Sequence, residues 1–530
     1  MQLIPFHKTG YFSKTICDYL DENKTIELFY NNYPNLKGFK KQIEEKRHSE
    51  LVSKAHRKIL VKALENQYKN IKTSKDTEQH IQSLLKENTF TITTGHQLNL
   101  FTGPLYFLYK IVSAINLAKQ LKSEFPKDNF VPVYWMATED HDFEEINYFN
   151  FKERKIRWNK ESNSAVGRLS TEGLEAVAQV FEQLLGTPKN AETLAKLFKD
   201  AYVKHQTLTE ATRYLVNELF GEYGLVIIDG DDVCLKKQFG PFVADELTNQ
   251  TSFKKVSETI QELSKEYKIQ VNPREINLFY LTDRVRARIV YEKGIYKVVN
   301  TDISWTKNEI LKELEEFPER FSPNVIMRPL YQEVILPNIC YIGGGGELAY
   351  WFELKSYFEA VKVPFPIVLL RNSVLLITEK QFKKAEKLNI SIEELFLNQE
   401  KLINKKIKEI SEIEIDFSSQ KAFLQEQFIG LKKLAEKTDK SFIGAVNAQE
   451  KKQLNGLDLL EKRLLKAQKR KLKDIVERIV LLQNQLFPNQ SLEERQRNFS
   501  EVYEQYGAAL IPKLIKTLDP LKGEFYCIPI

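Results

Sequence analysis

The chain has 530 residues, a formal net charge of +6, 42% hydrophobic residues and 28% charged residues. That is an ordinary globular composition with room for two or three structural units, and so slight a basic excess argues against a dedicated nucleic-acid surface. No apolar run approaches a membrane span, MQLIPFHKTGYFSK lacks the apolar core of a secretory signal, and Cys17, Cys234, Cys340 and Cys527 have neither zinc-ligand nor disulfide-framework spacing. A cytoplasmic protein with reduced thiols is the expectation.

Residues 1–88 read as mostly helical, with Leu51, Ala55, Ile59 and Ala63 recurring at steps of four. Phe90–Thr94 is a short β-branched run closed by Gly95, hence a strand. Pro104 suits a helix start, and Leu105–Leu121 carries an apolar helical face. Val131–Met136 is the next strand, which completes a βαβ unit.

Residues 173–220 are again helical in pattern. Tyr223–Asp229 reads as a buried strand ending at Asp229, Asp231 and Asp232. Lys255–Tyr267 reads as an amphipathic helix, Arg286–Val299 as a hairpin around Lys293–Gly294, and Pro366–Leu370 as a last apolar strand. Parallel-type strands separated by helices give a doubly wound α/β core over 1–385, with a helical insertion near 160–220 and a mixed one near 235–325. Beyond 385 Gly and Pro thin out. Leu465, Leu472, Ile479 and Leu486 are spaced by sevens with Ile475 and Leu482 between them, an a/d seam. Phe417–Glu436 is its expected antiparallel partner. Residues 386–505 thus read as a helical hairpin that dimerises, and 506–530 as a segment packing back on the core. The basic run Lys462–Lys473 lacks interleaved aromatics and reads as the solvated face of this arm.

Two strand ends concentrate the ionisable and hydrogen-bonding residues. Gly95, His96, Gln97 and Asn99 follow the first strand, and Glu139, Asp140, His141 and Asp142 follow the second. In an open α/β sheet such strand ends face the ligand crevice. Glycine lets the backbone approach a ligand, and the helix start behind Gly95–Asn99 suits phosphate or carboxylate. An Asp beside His141 can fix its tautomer and raise its basicity. The run Gly343–Gly346, with Glu347 beyond it, fits neither a stable strand nor a stable helix. It reads as a loop open to positive φ and close ligand approach, and it is neither a Walker A loop nor GxGxxG. Arg328, Gln332 and Arg371 could hold a carboxylate or phosphate. The residues by themselves leave three readings open: an acid–base enzyme, a metal-dependent hydrolase built on Glu139–Asp142, and a non-enzymatic coiled-coil scaffold or nucleic-acid adaptor.

Five segments together resemble the cysteine ligases of bacillithiol biosynthesis, the BshC family. They are Thr94–Tyr106, Tyr134–Asn147 (with EDHDFEEIN), Asn324–Gln332, Gly343–Trp351 and Leu486–Asn498. In that family the glycine loop reads GGPGE, with proline where Gly345 stands here. The resemblance implies a Rossmann-like core, a C-terminal coiled coil that makes a homodimer, and addition of cysteine to glucosaminyl-malate. It suggests activation by ATP or another nucleotide, while the residues themselves give no metal ligand set and argue against a membrane or nucleic-acid partner. On that reading His141, oriented by Asp140 or Asp142, takes a proton from the amine, with His96 as the other candidate base. Arg328 or Arg371 neutralises negative charge, while Gly95, Gln97, Asn99, Glu139, Gln332, Gly343, Gly344 and Glu347 bind substrate or nucleotide.

Overall fold

The structure, a computed structural model, describes residues 1–49, 51, 53–162 and 164–530. Residues 50, 52 and 163 fall in stretches read as helical and lie outside the described residues. The central sheet has five parallel strands: β1 (Thr89–His96), β2 (Asn129–Met136), β3 (Val226–Asp229), β4 (Asn338–Gly343) and β5 (Ile367–Leu370). Their spatial order is β5-β4-β1-β2-β3. Every residue of β1, β4 and β5 is buried, as expected for strands covered on both faces. Chain order runs outward in one direction through β1, β2 and β3, then restarts at β4 on the other side of β1. That reversal is the topological switch point of a Rossmann-like sheet, and it opens a crevice at the strand carboxyl ends.

Helix α1 (Tyr106–Glu124) crosses from β1 to β2, and its residues are buried from Phe107 to Ala118. Three helices, Leu174–Leu185, Ala191–Tyr202 and Leu208–Phe220, form the first insertion. The second contains helices Val233–Asn249 and Thr251–Leu263 and a five-stranded antiparallel sheet. Its hairpin turns at Lys293 and Gly294, both at positive φ, as the sequence predicts. The helix expected at 255–267 begins earlier, because Gln250 takes the left-handed conformation that ends the preceding helix and starts the next.

The glycine run is not a loop. Gly343 closes β4, and Gly345 and Gly346 open helix α3 (Gly345–Phe352). None of the four has positive φ. Glycine costs about 1 kcal/mol per helical residue relative to alanine, but here Glu347 caps the helix by accepting from the Gly344 N–H (2.9 Å). The residue type is required for close packing: a Cβ on Gly343 would lie 2.9 Å from Glu347 Cβ.

Helices α4 (Ser418–Ala435) and α5 (Lys440–Lys471) form the C-terminal hairpin. They run antiparallel, joined by Lys421–Asp458 (2.6 Å) and Lys432–Glu450 (2.5 Å) ion pairs and a small cluster of Phe428, Ala435 and Val446. The heptad stripe does not stay on this pair. The chain breaks at Leu472, and helix α6 (Lys473–Leu486) turns Ile479, Leu482 and Leu486 into the main core. An apolar stripe binds whichever apolar surface the chain offers, and here that surface is the core. The last strand, Glu524–Pro529, lies between Gln2–Pro5 and Val374–Ile377.

Candidate active site at the sheet switch point

A cleft of about 700 Å³ opens at the carboxyl ends of β1, β2 and β4. Strand register aligns its floor: Gly95 pairs with Trp135, and His96 with Met136. Lys110, one turn into α1, reaches back between two strand ends. Its ammonium donates to the Gly95 carbonyl (2.6 Å) and pairs with Glu347 (2.5 Å). Glu347 also accepts from the Tyr341 hydroxyl (2.6 Å). Burial alone would raise the Glu347 carboxyl, but Lys110 and the Gly344 N–H hold it below its ordinary value.

Arg328 enters from helix α2 (Met327–Ile335). Its guanidinium lies 6.0 Å from the Trp135 ring centre and 5.5 Å from that of Tyr341. It donates to Gln332 Oε1 (3.1 Å) and to the Tyr350 hydroxyl (3.4 Å), both neutral acceptors. Gln332 in turn donates to the buried Glu333, whose other oxygen pairs with Lys46 (3.2 Å). Arg328 is therefore flanked by aromatic rings and held from behind; among the described residues no carboxylate lies at ion-pair distance, and Glu347, itself paired with Lys110, acts on its charge from farther off.

His96 is buried beside Tyr106 and Phe107, and among the described residues its Nε2 has no partner. Burial, then the Lys110 charge, push its pKa down to about 3. It is a neutral hydrogen-bonding group and a weak base.

The acidic run lies at the mouth and is already engaged. Glu139 pairs with Lys236 (2.5 Å), which also pairs with Asp231 (3.4 Å). Asp140 accepts from the His141 N–H (2.7 Å) and from Gln97 Nε2 (2.8 Å). Burial would raise the Asp140 carboxyl, but His141, Gln97 and the Arg286 charge hold it well below the carboxylate range. Arg286 contacts His141 Nδ1 at 2.6 Å. A guanidinium has no lone pair, so Nδ1 accepts and the ring proton sits on Nε2. Among the described residues no three His, Cys, Asp or Glu side chains converge as a metal site.

Of the residues singled out in the sequence, Gly95, His96, Gln97, Glu139, Asp140, His141, Arg328 and Glu347 line the cleft. The others serve the frame around it. Asn99 donates to the Glu145 carbonyl (3.2 Å), Asp142 precedes the short helix Phe143–Ile146 at the surface without a side-chain capping bond, and Gln332 stands behind Arg328. Gly343 and Gly344 shape the strand-to-helix turn. Arg371 is buried against Glu494 (2.7 Å) and ties the core to the C-terminal segment. The helix start behind Gly95–Asn99 is not an open anion site either. The Leu105 N–H donates to the Arg497 carbonyl (2.7 Å), and Asn498 caps the Phe101 and Gly103 carbonyls.

Sequence reasoning missed Lys110, Lys236, Tyr341, Tyr350, Arg274, Arg286 and Arg288. Two signals were available. Lys110 is a lone charge inside the apolar stretch YFLYKIV, and Arg286 and Arg288 alternate along one strand.

Two family models together cover this architecture. Residues 1–372 match the N-terminal Rossmann-like domain of "Bacillithiol biosynthesis BshC", and residues 374–530 match its C-terminal coiled-coil domain. The chain belongs to the BshC family. Among curated relatives, a Flavobacterium johnsoniae protein named "Putative cysteine ligase BshC" is 59% identical over 527 residues, covering 99% of each chain. A Christiangramia forsetii relative of the same name is also 59% identical, covering 98% of each chain. One from Bacillus cytotoxicus is 27% identical, covering 97% of each. Among solved structures, an arginyl-tRNA synthetase from Campylobacter jejuni aligns over 88% of this chain and 98% of its own. Its TM-score of 0.23 and 11% identity give that likeness no weight. No helix of the described residues is long and apolar enough to cross a membrane.

Proposed function

We propose that this cleft joins the carboxyl group of cysteine to the amine of glucosaminyl-malate, forming an amide. The observation that carries the proposal is Arg328, a guanidinium in an aromatic box at the sheet switch point with only neutral partners. A carboxylate accepts two parallel hydrogen bonds from such a fork. Lys110 and Glu347 neutralise each other beside it, so Arg328 is the charge left for the acyl group.

The attacking amine must shed a proton. His141 is placed for this at the mouth, with Nδ1 3.7 Å from the Asp140 carboxylate that would stabilise the imidazolium, and it accepts one at Nδ1 once Arg286 turns from the imidazole to an anionic substrate. Amide formation from a carboxylate also needs an activated acyl group. A nucleoside triphosphate, when bound, supplies a phosphorylated leaving group.

The test is the purified protein with cysteine and glucosaminyl-malate, with and without ATP, read by mass spectrometry. The expected result is the ligated thiol with ATP and none without it. Arg328→Met is expected to lower turnover by ~100-fold, the loss typical of a charged hydrogen-bonding partner. No product under either condition overturns the assignment.

The arm's exposed Phe423, Leu434, Leu459 and Leu460 are assigned to a second copy of the chain. Sedimentation at twice the chain mass is expected, and Leu460→Glu is expected to return it to one. A single-chain mass for the unsubstituted protein overturns the dimer.

A further inference from the structure

The outer wall of the cleft belongs to the second insertion, and it is basic. Arg274, Arg286 and Arg288 line it. In the antiparallel register Arg288 stands opposite Phe279 and Arg286 opposite Leu281. Side chains alternate with period two, so both arginines leave the strand on the face that carries Phe279. The Arg286 guanidinium lies 4.1 Å from the centre of the Phe279 ring, which orients its fork into the cleft. Its donors meet only neutral acceptors: His141 Nδ1 (2.6 Å), Ser322 Oγ (3.4 Å) and the Pro323 carbonyl (3.5 Å). Arg274 and Arg288 are exposed. Among the described residues none of the three has a carboxylate at ion-pair distance. The nearby carboxylates are otherwise engaged: Asp140 accepts from the His141 N–H and Gln97, Glu139 pairs with Lys236 and Glu347 with Lys110, and Glu139 and Asp140 offset only part of the Arg286 charge from beyond ion-pair distance. Like charges gathered on one wall repel, and the field they focus in a cleft attracts an anion.

We propose that Arg274, Arg286 and Arg288 form a second anion subsite at the cleft mouth, separate from Arg328, for a ligand group carrying two or more negative charges. The proposal deepens the ligase reading and rests on its cleft. Arg328 on α2 would hold the single carboxylate of the amino acid, and the hairpin arginines the polyanionic end of the other reactant. Two groups share that chemistry: the dicarboxylate of the sugar substrate and the phosphates of a nucleotide.

Calorimetric titration of the full-length protein at low salt separates them, with L-malate in one arm and ATP in the other. Wild-type protein is expected to bind one or both probes. Binding is expected to fall by roughly tenfold or more in the Arg274→Ala/Arg288→Ala variant, the loss of charge-assisted hydrogen bonds, and to weaken with added salt. Arg328→Met is expected to leave it in place. Loss confined to malate assigns the subsite to the dicarboxylate, and loss confined to ATP assigns it to phosphate. Binding of neither probe overturns the proposal, as does equal binding by the double variant. Loss in Arg328→Met as large as in the double variant shows a single subsite and also overturns it. Arg274 and Arg288 are exposed, so an unchanged thermal melt is expected to confirm folding. The titration involves no cysteine and no turnover, so an absent ligase activity leaves its result standing.

Discussion

The inner and outer walls of the cleft use the same cationic chemistry under opposite constraints. On the inner wall, Lys110 is only 4% exposed, and its two contacts tie α1 to β1 and α3. On the outer wall, Arg274 and Arg288 stand in solvent on an insertion. A buried charge must be paired where it sits, because its solvation has been given up. An exposed charge keeps its solvation until a ligand arrives. The inner wall is therefore part of the fold as well as of the site, whereas Arg274 and Arg288 on the outer wall belong to the site alone.

The largest expected effect follows from that difference. Lys110→Met takes the cation from Glu347, whose side chain is 25% exposed to the cleft and keeps the Tyr341 hydroxyl and the Gly344 N–H, and is expected to cost ~1.5–3 kcal/mol. Arg288→Ala is expected to change stability by less than about 0.5 kcal/mol. Urea denaturation of the two variants measures both. If Lys110→Met unfolds no more readily than Arg288→Ala, the two walls are not distinguished by burial.

The frame behind the inner wall is expected to respond to pH. Burial raises the carboxyls of Glu353 and Glu493 to about 7, and burial together with Asp231 raises Asp229 to about 6. Each of these groups binds its proton in the folded chain at a pH where the unfolded chain has released it. Their contribution to stability therefore rises as pH falls from 8 through 6 and ends as the unfolded carboxyls themselves protonate near pH ~4, and it is opposed below pH ~6.5 by His96, held neutral in the fold. Glu353→Gln removes one such group and is expected to flatten the slope, by on the order of 1 kcal/mol across that window. Denaturation midpoints at pH 8, 7, 6 and 5 check the sign. A midpoint that falls between pH 8 and 6 would mean that these carboxyls stay ionised at no cost.

A smaller change of opposite sign is expected at the turn into α3. Gly344 has φ −79° and ψ 172°, the region preferred before proline, and Gly345 is the first helical residue. An added Cβ at Gly345 meets Ile16 Cγ1 at 3.3 Å, a close contact with a movable side chain. Gly345→Pro is expected to stabilise the chain by ~0.5–1 kcal/mol by restricting the unfolded state, with product formation retained. A lower melting temperature would show that Ile16 cannot give way.

Much of the fold was legible locally. Buried β-branched runs ending abruptly in polar residues mark β1 and β2, and Lys293–Gly294 marks a hairpin turn; both patterns depend on neighbours in sequence. The heptad spacing identified helices but not their partners. Leu486 fits a coiled-coil seam as well as it fits the core it enters. The glycine run was misread for a related reason: propensity argues against helix, and the cap that decides the matter comes from Glu347, itself held by Lys110 and Tyr341.

The sequence by itself determined which strand ends bear ionisable groups, because burial of a strand and exposure of its end are written in consecutive residues. It also placed the chain among the BshC proteins, through segments of unusual composition. The tertiary structure alone decided which of those groups share a cleft and in what state. The strand order sets β4 against β1, so Glu347 meets Lys110. The insertion brings Arg286 onto His141 across 145 positions of chain. A side chain's charge and tautomer depend on its nearest neighbours in space, and for these residues those neighbours are distant in sequence.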